Sequence, residues 1–431
     1  MTSHSPETAA AGAAVAAPRR ERANGLTAER MCTAELVLVD VRPAGEVVPD
    51  LTRNVILTSG AQLEWDQYRG GQRAAVIGGA LFEGLASSEE EADAAIRAGE
   101  VLVRPCQPYG CAGSLAGVYT ASMPVLVVEN SAAGNRAFCN LFEGVSPHRL
   151  NYGVYNDEVR RSLMFLNDTV GPLLGEAVRS LRGVPLGPLM KRALHMGDEL
   201  HSRNTAATLL FARELVPVLL DMHASRPAEV MAVFDYLKSN DYFFLRLSMA
   251  AAKATADAAH GVEGSSVVTG MVFNCRDFAI RVSGLGDEWF RGPLPTKFGA
   301  KLFEGYGEGD IDFMGGESTL NETVGLGGFA QAAAFPLQDY QGGTPQRMVE
   351  ANLAMYEITV AEHPDYRIPF LAFRGVPVGI DVHLVASTGV TPVLDIGIAG
   401  KNGGQIGAGS FRAPLEPFVA AAAAHADRYP T

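Results

Sequence analysis

The sequence predicts a multidomain protein of mixed α/β and α+β class. Its 431 residues exceed the length of one ordinary hydrophobic core. Short strand-like runs alternate with helices in residues 29–154, helical patterns fill residues 155–262, and short strands with many glycines fill residues 263–431. We therefore expect an N-terminal α/β domain, a central helical domain and a C-terminal glycine-rich α+β domain.

The composition excludes several classes of protein. Hydrophobic residues make up 47% of the chain and charged residues 19%, which is typical of a well-buried globular protein. The net charge of −13 argues against nucleic acid and anionic membranes as partners, because both bind basic patches. The sequence contains no uncharged apolar run of about 18 residues, as a membrane helix requires. The five cysteines lack Cys-x-x-Cys spacing, so we expect a cytoplasmic protein with free thiols and no zinc knuckle.

The first 28 residues are predicted to form a disordered extension. They are rich in alanine and contain a Pro-Arg-Arg-Glu-Arg run at 18–22. The apolar part precedes the charged part, which is the reverse of the order in a secretory signal. A weakly hydrophobic segment of this kind has little to bury in a core.

The three predicted domains are assembled from individual segments. In the first, strands are predicted at 36–41, 55–57, 74–77, 101–103 and 123–128, with a helix at 89–98. In the second, helices are predicted at 159–165, 173–181, 206–222, 228–237 and 244–259. In the third, strands are predicted at 266–273, 278–282, 369–373, 378–382 and 393–396, with a helix near 345–360.

The stretch from residue 195 to 204 carries the densest set of reactive side chains in the chain. In helical phase, four of them lie on one face: His195, Asp198, Glu199 and Arg203. His201 and Asn204 lie off that face. The alternative is structural, with acidic and amide side chains capping the first turn of a helix. A metal site is not expected, because no His-Glu-x-x-His pattern is present.

Polar residues near the ends of other elements are further candidates for substrate binding, although each also suits a cap, a turn or a salt bridge. They are Asn130, Asn240, Asn274, Arg281, Glu322, Thr323, Lys401, Gln405, Gly407 and Gly409. The last four belong to one glycine-rich segment. Successive backbone N–H groups beside a lysine suit a phosphate or a carboxylate, although the spacing is not that of a Walker A loop.

Several segments together resemble a known family. Among them are Met196-Gly-Asp-Glu199, Arg281-Val-Ser-Gly-Leu-Gly-Asp287, Glu322-Thr-Val-Gly-Leu-Gly-Gly328 and Gln405-Ile-Gly-Ala-Gly409. Residues 33–420 thereby resemble the YlbE-like proteins, which are similar to the large subunit of the oxamate carbamoyltransferase found with FdrA-like proteins. The chain departs from this family at 106–111, where relatives commonly carry a histidine-rich stretch, and at Ser114, where proline is usual.

The resemblance implies a carbamoyl or acyl transferase subunit of purine (allantoin) catabolism. In that reaction oxalurate is split by phosphate into oxamate and carbamoyl phosphate. The resemblance also implies a small-molecule substrate, no metal or cofactor, an FdrA-like partner subunit, and a homodimer or hetero-oligomer. A non-catalytic scaffold subunit and an amidohydrolase that uses water are the alternatives.

Residue roles are assigned from this resemblance together with the helical phase. We expect His195 or Glu199 to transfer protons, Asp198 to belong to the same catalytic group, and Asn204 and Asn274 to act as amide donors. Either Arg203 or Arg281 is expected to hold the substrate carboxylate as a two-pronged donor. The glycine-rich segment after Lys401 is expected to hold the phosphate.

Overall fold

The computed structural model describes residues 6–295 and 299–430. Its helices are α1 (Pro6–Cys32), α2 (Ala44–Val47), α3 (Gly70–Glu83), α4 (Glu89–Ala98), α5 (Asp157–Phe165), α6 (Gly171–Ser180), α7 (Leu186–His195), α8 (Thr205–His223), α9 (Pro227–Lys238), α10 (Phe243–Ala258), α11 (Leu320–Thr323), α12 (Gln338–Gln341), α13 (Pro345–Met355), α14 (Val382–Thr388) and α15 (Glu416–Arg428). Within the described ranges, no helix is long and apolar enough to cross a membrane.

The strands form sheets that are mainly antiparallel. They are β1 (Leu36–Pro43), β2 (Val55–Thr58), β3 (Leu102–Pro105), β4 (Pro124–Asn130), β5 (Asn135–Asn140), β6 (Val184–Pro185), β7 (Val268–Phe273), β8 (Asp277–Val282), β9 (Trp289–Pro293), β10 (Gly299–Leu302), β11 (Ile311–Asp312), β12 (Thr359–Ile368), β13 (Arg374–Ile380), β14 (Val393–Gly400) and β15 (Gln405–Arg412). Their orders are β5-β4-β1-β6, β7-β8-β9, β10-β15-β14-β11, β12-β13 and a parallel pair β2-β3.

The mixture of helices and sheets confirms the predicted class in its coarse form, and the three-domain division stays a prediction. The largest buried apolar cluster draws on all three predicted domains, with Leu38, Phe211 and Val376 among its members. Helix α10 lies at the centre and packs against β4 and β5. Every residue of α10 from Phe243 to Ala256 is buried, including Arg246 and Lys253. Buried charges on an otherwise apolar helix require a specific explanation.

Two predicted strands are wrong. Residues 74–77 lie inside α3, where a short apolar run does not distinguish a strand from a buried helix. A Cβ at Gly78 would lie 2.7 Å from the side chain of Leu150, so glycine lets this helix approach its neighbours closely. Residues 369–373 form the turn between β12 and β13, because Pro369 begins a 3₁₀ turn and Phe373 adopts a left-handed conformation with φ 60°.

The prediction of a disordered N-terminal extension is wrong for the described part, and residues 1–5 lie outside the described residues. Helix α1 includes the Arg-rich run and continues to Cys32. Asn24, which is buried, donates to Ser266 Oγ at 2.9 Å and to Asp381 Oδ2 at 3.1 Å, and it accepts from the Ser266 N–H at 2.8 Å. Long-range hydrogen bonds of this kind do not show in local composition, which is why the sequence did not predict the helix.

Replacing Asn24 with alanine is expected to lower the free energy of unfolding by about 1–3 kcal/mol, because buried partners on Ser266 and Asp381 lose their hydrogen bonds. Urea unfolding followed by circular dichroism measures the change. The control is Arg22→Ala, at an exposed position two residues earlier on the same helix. Equal stability of the two variants would contradict the anchoring role of Asn24.

Candidate active site

A cavity of about 190 Å³ lies where α10, α12, β14, β15 and several loops meet. Helix α10 contributes Arg246, and the segment before a 3₁₀ turn at 150–152 contributes Arg149. The loop between α7 and α8 contributes His201 and Ser202. Its volume fits a small metabolite, and its lining combines aromatic rings with a few convergent polar groups.

Two buried arginines in this cavity lack a carboxylate partner. Arg149 donates from Nη1 to the carbonyl of Gly144 at 3.2 Å and stacks on Tyr152, with its guanidinium 4.1 Å from the ring centroid. Arg246 donates from Nη1 to Asn140 Oδ1 at 2.8 Å. Within the described part of the chain, the Nε of each arginine has no hydrogen-bond acceptor. Across residues 19–295 and 299–430 neither arginine forms an ion pair. Because a buried cation is costly without an anion, the pair indicates an anion-binding site.

Tyrosine hydroxyls and an amide line another wall of the cavity. Tyr152 donates from its hydroxyl to Gln405 Oε1 at 3.3 Å, and Gln405 Nε2 donates to the hydroxyl of Tyr340. The ring of Tyr242 lies 6.1 Å from that of Tyr340. Burial raises the pKa of Tyr152 and Tyr242, and it raises the pKa of Tyr340 to about 12. These phenols therefore stay protonated at neutral pH, and Tyr340, which accepts from Gln405, can donate its own hydroxyl hydrogen to a ligand.

His201 is held in one orientation by a buried carboxylate. Its Nδ1 lies 2.7 Å from Oε1 of Glu322, and the same oxygen accepts from the N–H groups of Gly328 and Asp395, each at 3.0 Å. Burial opposes the charged imidazole, but the charge and hydrogen bond of Glu322 and the charge of Glu199 together raise the pKa of His201. This arrangement leaves Nε2 for the cavity and suits proton transfer.

Glu199 shapes the loop that presents His201. Its carboxylate accepts from the backbone N–H groups of His201 at 3.1 Å, of Ser202, and of Arg203 at 2.9 Å. Burial and the nearby charge of Asp395 raise the pKa of Glu199 well above its usual range. Burial, followed by the charge of Glu322, likewise raises the pKa of Asp395 to about 7. Glu199 therefore fixes the backbone conformation of the loop that carries His201.

Glu317 joins two loops beside the cavity. Its buried carboxylate accepts from the N–H of Gly60 at 2.9 Å and from the N–H of Gly113 at 2.7 Å. The neighbouring residues Ser114 and Ser318 both line the cavity. Burial raises the pKa of Glu317 to about 7, although the two N–H groups oppose that rise.

The known relatives of this chain identify its family. A family model described as oxamate carbamoyltransferase subunit AllG matches residues 101–318. The AllG subunit of Escherichia coli (strain K12) is 38% identical over 413 residues, which cover 94% of this chain and 97% of the relative. This chain belongs to the AllG family. The predicted resemblance to an oxamate carbamoyltransferase subunit is thereby confirmed.

Two further relatives of this AllG-family chain have no assigned function. The uncharacterized protein YahG of Escherichia coli (strain K12) is 38% identical over 409 residues, covering 94% of this chain and 86% of that protein. A crystal structure of a conserved protein of unknown function from Enterococcus faecalis V583 matches with a TM-score of 0.91 and 38% identity. It covers 95% of this chain and 98% of that one, so the fold extends through nearly the whole chain.

The helical face predicted at 195–203 is wrong. Helix α7 ends at His195 and α8 begins at Thr205, so the residues between them form a loop. The three N–H groups that bind the carboxylate of Glu199 would otherwise continue a helix, and such side-chain bonds compete with helical ones. His195 is exposed and touches Phe373 edge-on, with ring centroids 5.4 Å apart. It does not line the cavity.

The other two residues of that predicted face, Asp198 and Arg203, pair with each other. Asp198 accepts from Arg203 Nη1 at 2.5 Å and from the N–H of Ala207 at 2.8 Å, which caps α8. Burial raises the pKa of Asp198 to about 6. Asn204 donates from Nδ2 to the carbonyl of His201 at 2.8 Å. Arg203 and Asn204 line a second cavity of about 170 Å³.

The predicted anion loop after Lys401 is wrong. Lys401 is exposed in the turn between β14 and β15, and Gly407 and Gly409 lie in β15. A Cβ at Gly407 would lie 2.7 Å from the carbonyl oxygen of Lys301, so these glycines allow β10 to pair closely. Gln405 is the one residue of this segment that lines the cavity. Glycine spacing alone did not distinguish a strand from an anion loop.

Five other predicted binding residues make local or structural hydrogen bonds away from the cavity lining. Their partners are Glu35 for Asn130, Tyr236 for Asn240, Asp277 for Asn274, Asp257 for Arg281 and Thr319 for Thr323. Glu322 does not line the cavity itself but contacts His201, which does. In the described part of the chain, no group of three or more histidine, cysteine, aspartate or glutamate residues is arranged to hold a metal ion.

The sequence did not single out Arg149, Arg246 or the three tyrosines. The one usable signal was Arg246, a cation on a helix that is otherwise apolar through its first turns. The helix predicted from the sequence places His201 away from the face that carries His195 and Glu199. The sequence therefore does not predict His201 as a catalytic residue.

Proposed function

We propose that this chain binds oxamate and oxalurate in the 190 Å³ cavity and takes part directly in carbamoyl transfer. The observation that carries the proposal is the pair of buried arginines without a carboxylate partner. Both substrates are small anions with a carboxylate beside an amide. Guanidinium groups match the carboxylate, and the amide can donate to Gln405 Oε1 and accept from the Tyr340 hydroxyl.

The proposed reaction is reversible and needs one proton carrier. An oxygen of hydrogen phosphate attacks the carbamoyl carbon of oxalurate, a C–O bond forms, and the C–N bond breaks. The proton given up by hydrogen phosphate moves to the departing nitrogen, which gives oxamate and carbamoyl phosphate. His201 is the proposed carrier, with Glu322 stabilising its charged form. Hydroxyl donors in the wall stabilise the oxygen that gains charge.

The relative from Escherichia coli is named as a subunit, which supports action within a larger assembly. We propose an FdrA-like protein as the partner. Turnover is accordingly measured on the mixture of both chains, whereas substrate binding is measured on this chain alone.

Replacing Arg246 with methionine is expected to weaken oxamate binding by about 10–100-fold, because a charge-assisted contact with the carboxylate is lost. Isothermal titration calorimetry measures the affinity. The free energy of unfolding should change by no more than about 1 kcal/mol, since removing an unpaired buried charge offsets the lost bond to Asn140. The matched control is Arg213→Met, at an exposed position on α8. Wild-type oxamate affinity in both Arg246→Met and Arg149→Met would contradict the proposed function.

A further inference from the structure

A second cavity of about 170 Å³ adjoins the first. Ser202, Tyr242 and Tyr340 line both cavities, so the two meet at these residues. The second cavity is also lined by Arg203 and Asn204, which immediately precede α8.

Arg203 presents unused donors there. Its Nη1 donates to the carbonyl of Gly197 at 3.0 Å and to Asp198 at 2.5 Å. Its Nε and Nη2 donate to no acceptor in the described part of the chain. The side chain is 26% exposed and lines the second cavity. The amide end of α8 is already capped by Asp198, and the cavity's positive charge therefore comes from Arg203.

Asn204 adds an unused acceptor. It is 1% exposed, its Nδ2 is bonded to the carbonyl of His201, and its Oδ1 has no donor among the residues that the structure describes. A free guanidinium edge beside a free buried acceptor suits a ligand that has anionic oxygens and an O–H or N–H donor. Hydrogen phosphate and carbamoyl phosphate have both. Asp241 also lines the cavity but is exposed, so its charge is largely screened by water.

We propose that the second cavity holds phosphate, or the phosphoryl group of carbamoyl phosphate, while the first holds the carboxylate of oxamate. This assignment rests on the proposed function. It places the two anions in adjoining cavities whose linings share Ser202, Tyr242 and Tyr340. The like charges are thereby kept apart, and the carbamoyl carbon lies where the two cavities meet, beside Ser202, so that a phosphate oxygen can attack it.

The test uses the full chain, inorganic phosphate and oxamate. Arg203→Lys keeps the positive charge and the ion pair with Asp198 but removes the Nε and Nη2 donors of the guanidinium. Phosphate affinity is therefore expected to fall about 10-fold, and oxamate affinity is expected to stay unchanged. Asp241→Asn removes a repulsive charge and is expected to raise phosphate affinity about 2–5-fold. Arg213→Lys, exposed on α8, is the matched control and should bind both ligands as the wild type does. Phosphate is followed by equilibrium dialysis and oxamate by calorimetry.

Sulfate is the second probe, because it carries no hydrogen-bond donor at neutral pH. The wild type is expected to bind sulfate several-fold more weakly than phosphate, and equal binding would overturn the role of Asn204. Phosphate binding that survives Arg203→Lys and is lost in Arg246→Met would place phosphate in the first cavity and overturn the proposal. That result would leave the proposed function intact. Oxamate binding that survives Arg246→Met and Arg149→Met would instead refute the proposed function, whatever phosphate does.

Discussion

Replacing His201 with asparagine is expected to lower carbamoyl phosphate formation by about 10²–10⁴-fold in the mixture with the partner subunit. The reason is that the substitution removes the proton carrier, while an asparagine amide can still donate to Glu322 and keep the loop in place. Oxamate affinity, measured on this chain alone, should stay within about threefold of the wild type. The matched control is His195→Asn, because His195 is exposed and outside the cavity. Full turnover in His201→Asn would refute the role of His201 as the proton carrier.

Glu322→Gln distinguishes proton transfer from a purely structural role. The charge of Glu322 raises the pKa of His201, so its removal should lower that pKa. A limb of the pH–rate profile that reports loss of the His201 proton should therefore move to lower pH. A structural defect would reduce the rate at every pH without moving the limb. An unmoved limb in Glu322→Gln would contradict the coupling between the two residues.

The two histidines show why the site was only partly predicted. The prediction required one continuous helix through residues 195–203, and that geometry selected His195 and rejected His201. The carboxylate of Glu199 binds three consecutive N–H groups, so the chain forms a loop and His201 enters the cavity. The sequence predicts Glu199 as a proton carrier, whereas in the structure it lies outside the cavity lining and binds the loop that carries His201.

The fold was predicted well where local pattern and tertiary packing agree. The amphipathic segments that became α5, α6, α8 and α9 were placed within a few residues of their observed ends. The failures at 74–77 and 369–373 are short runs in which packing decides between helix, strand and turn. The antiparallel order β5-β4-β1-β6 was beyond prediction, because strand pairing depends on contacts between distant parts of the chain.

The two arginines of the cavity could not be predicted from the sequence, for a different reason. Arg149 and Arg246 lie 97 residues apart in sequence and are not marked by any short motif. Their significance comes from burial without a counter-ion, which only the folded structure shows. Gln405 was predicted for a different reason, as part of an anion loop that is in fact a strand.

Replacing Glu317 with glutamine is expected to change how stability depends on pH. Burial raises the pKa of this carboxyl from its ordinary value of 4.5 to about 7. The folded protein therefore binds the proton more tightly than the unfolded chain does. The stability that this group contributes is fully present below pH 4.5 and is lost as the pH rises to about 7. The difference between these two values corresponds to about 3 kcal/mol.

At pH 5 the variant should be less stable than the wild type by about 1–3 kcal/mol, because its NH₂ must face the N–H of Gly60 or Gly113. At pH 8 that gap should close or reverse, since only the wild type has lost the contribution of Glu317. Urea unfolding at both pH values measures the gap, with the exposed Glu304→Gln as the control. Other buried acids, such as Asp395, are common to both proteins and cancel in the comparison. A gap that is the same at pH 5 and pH 8 would mean that Glu317 is ionised throughout and that its two N–H donors outweigh its burial.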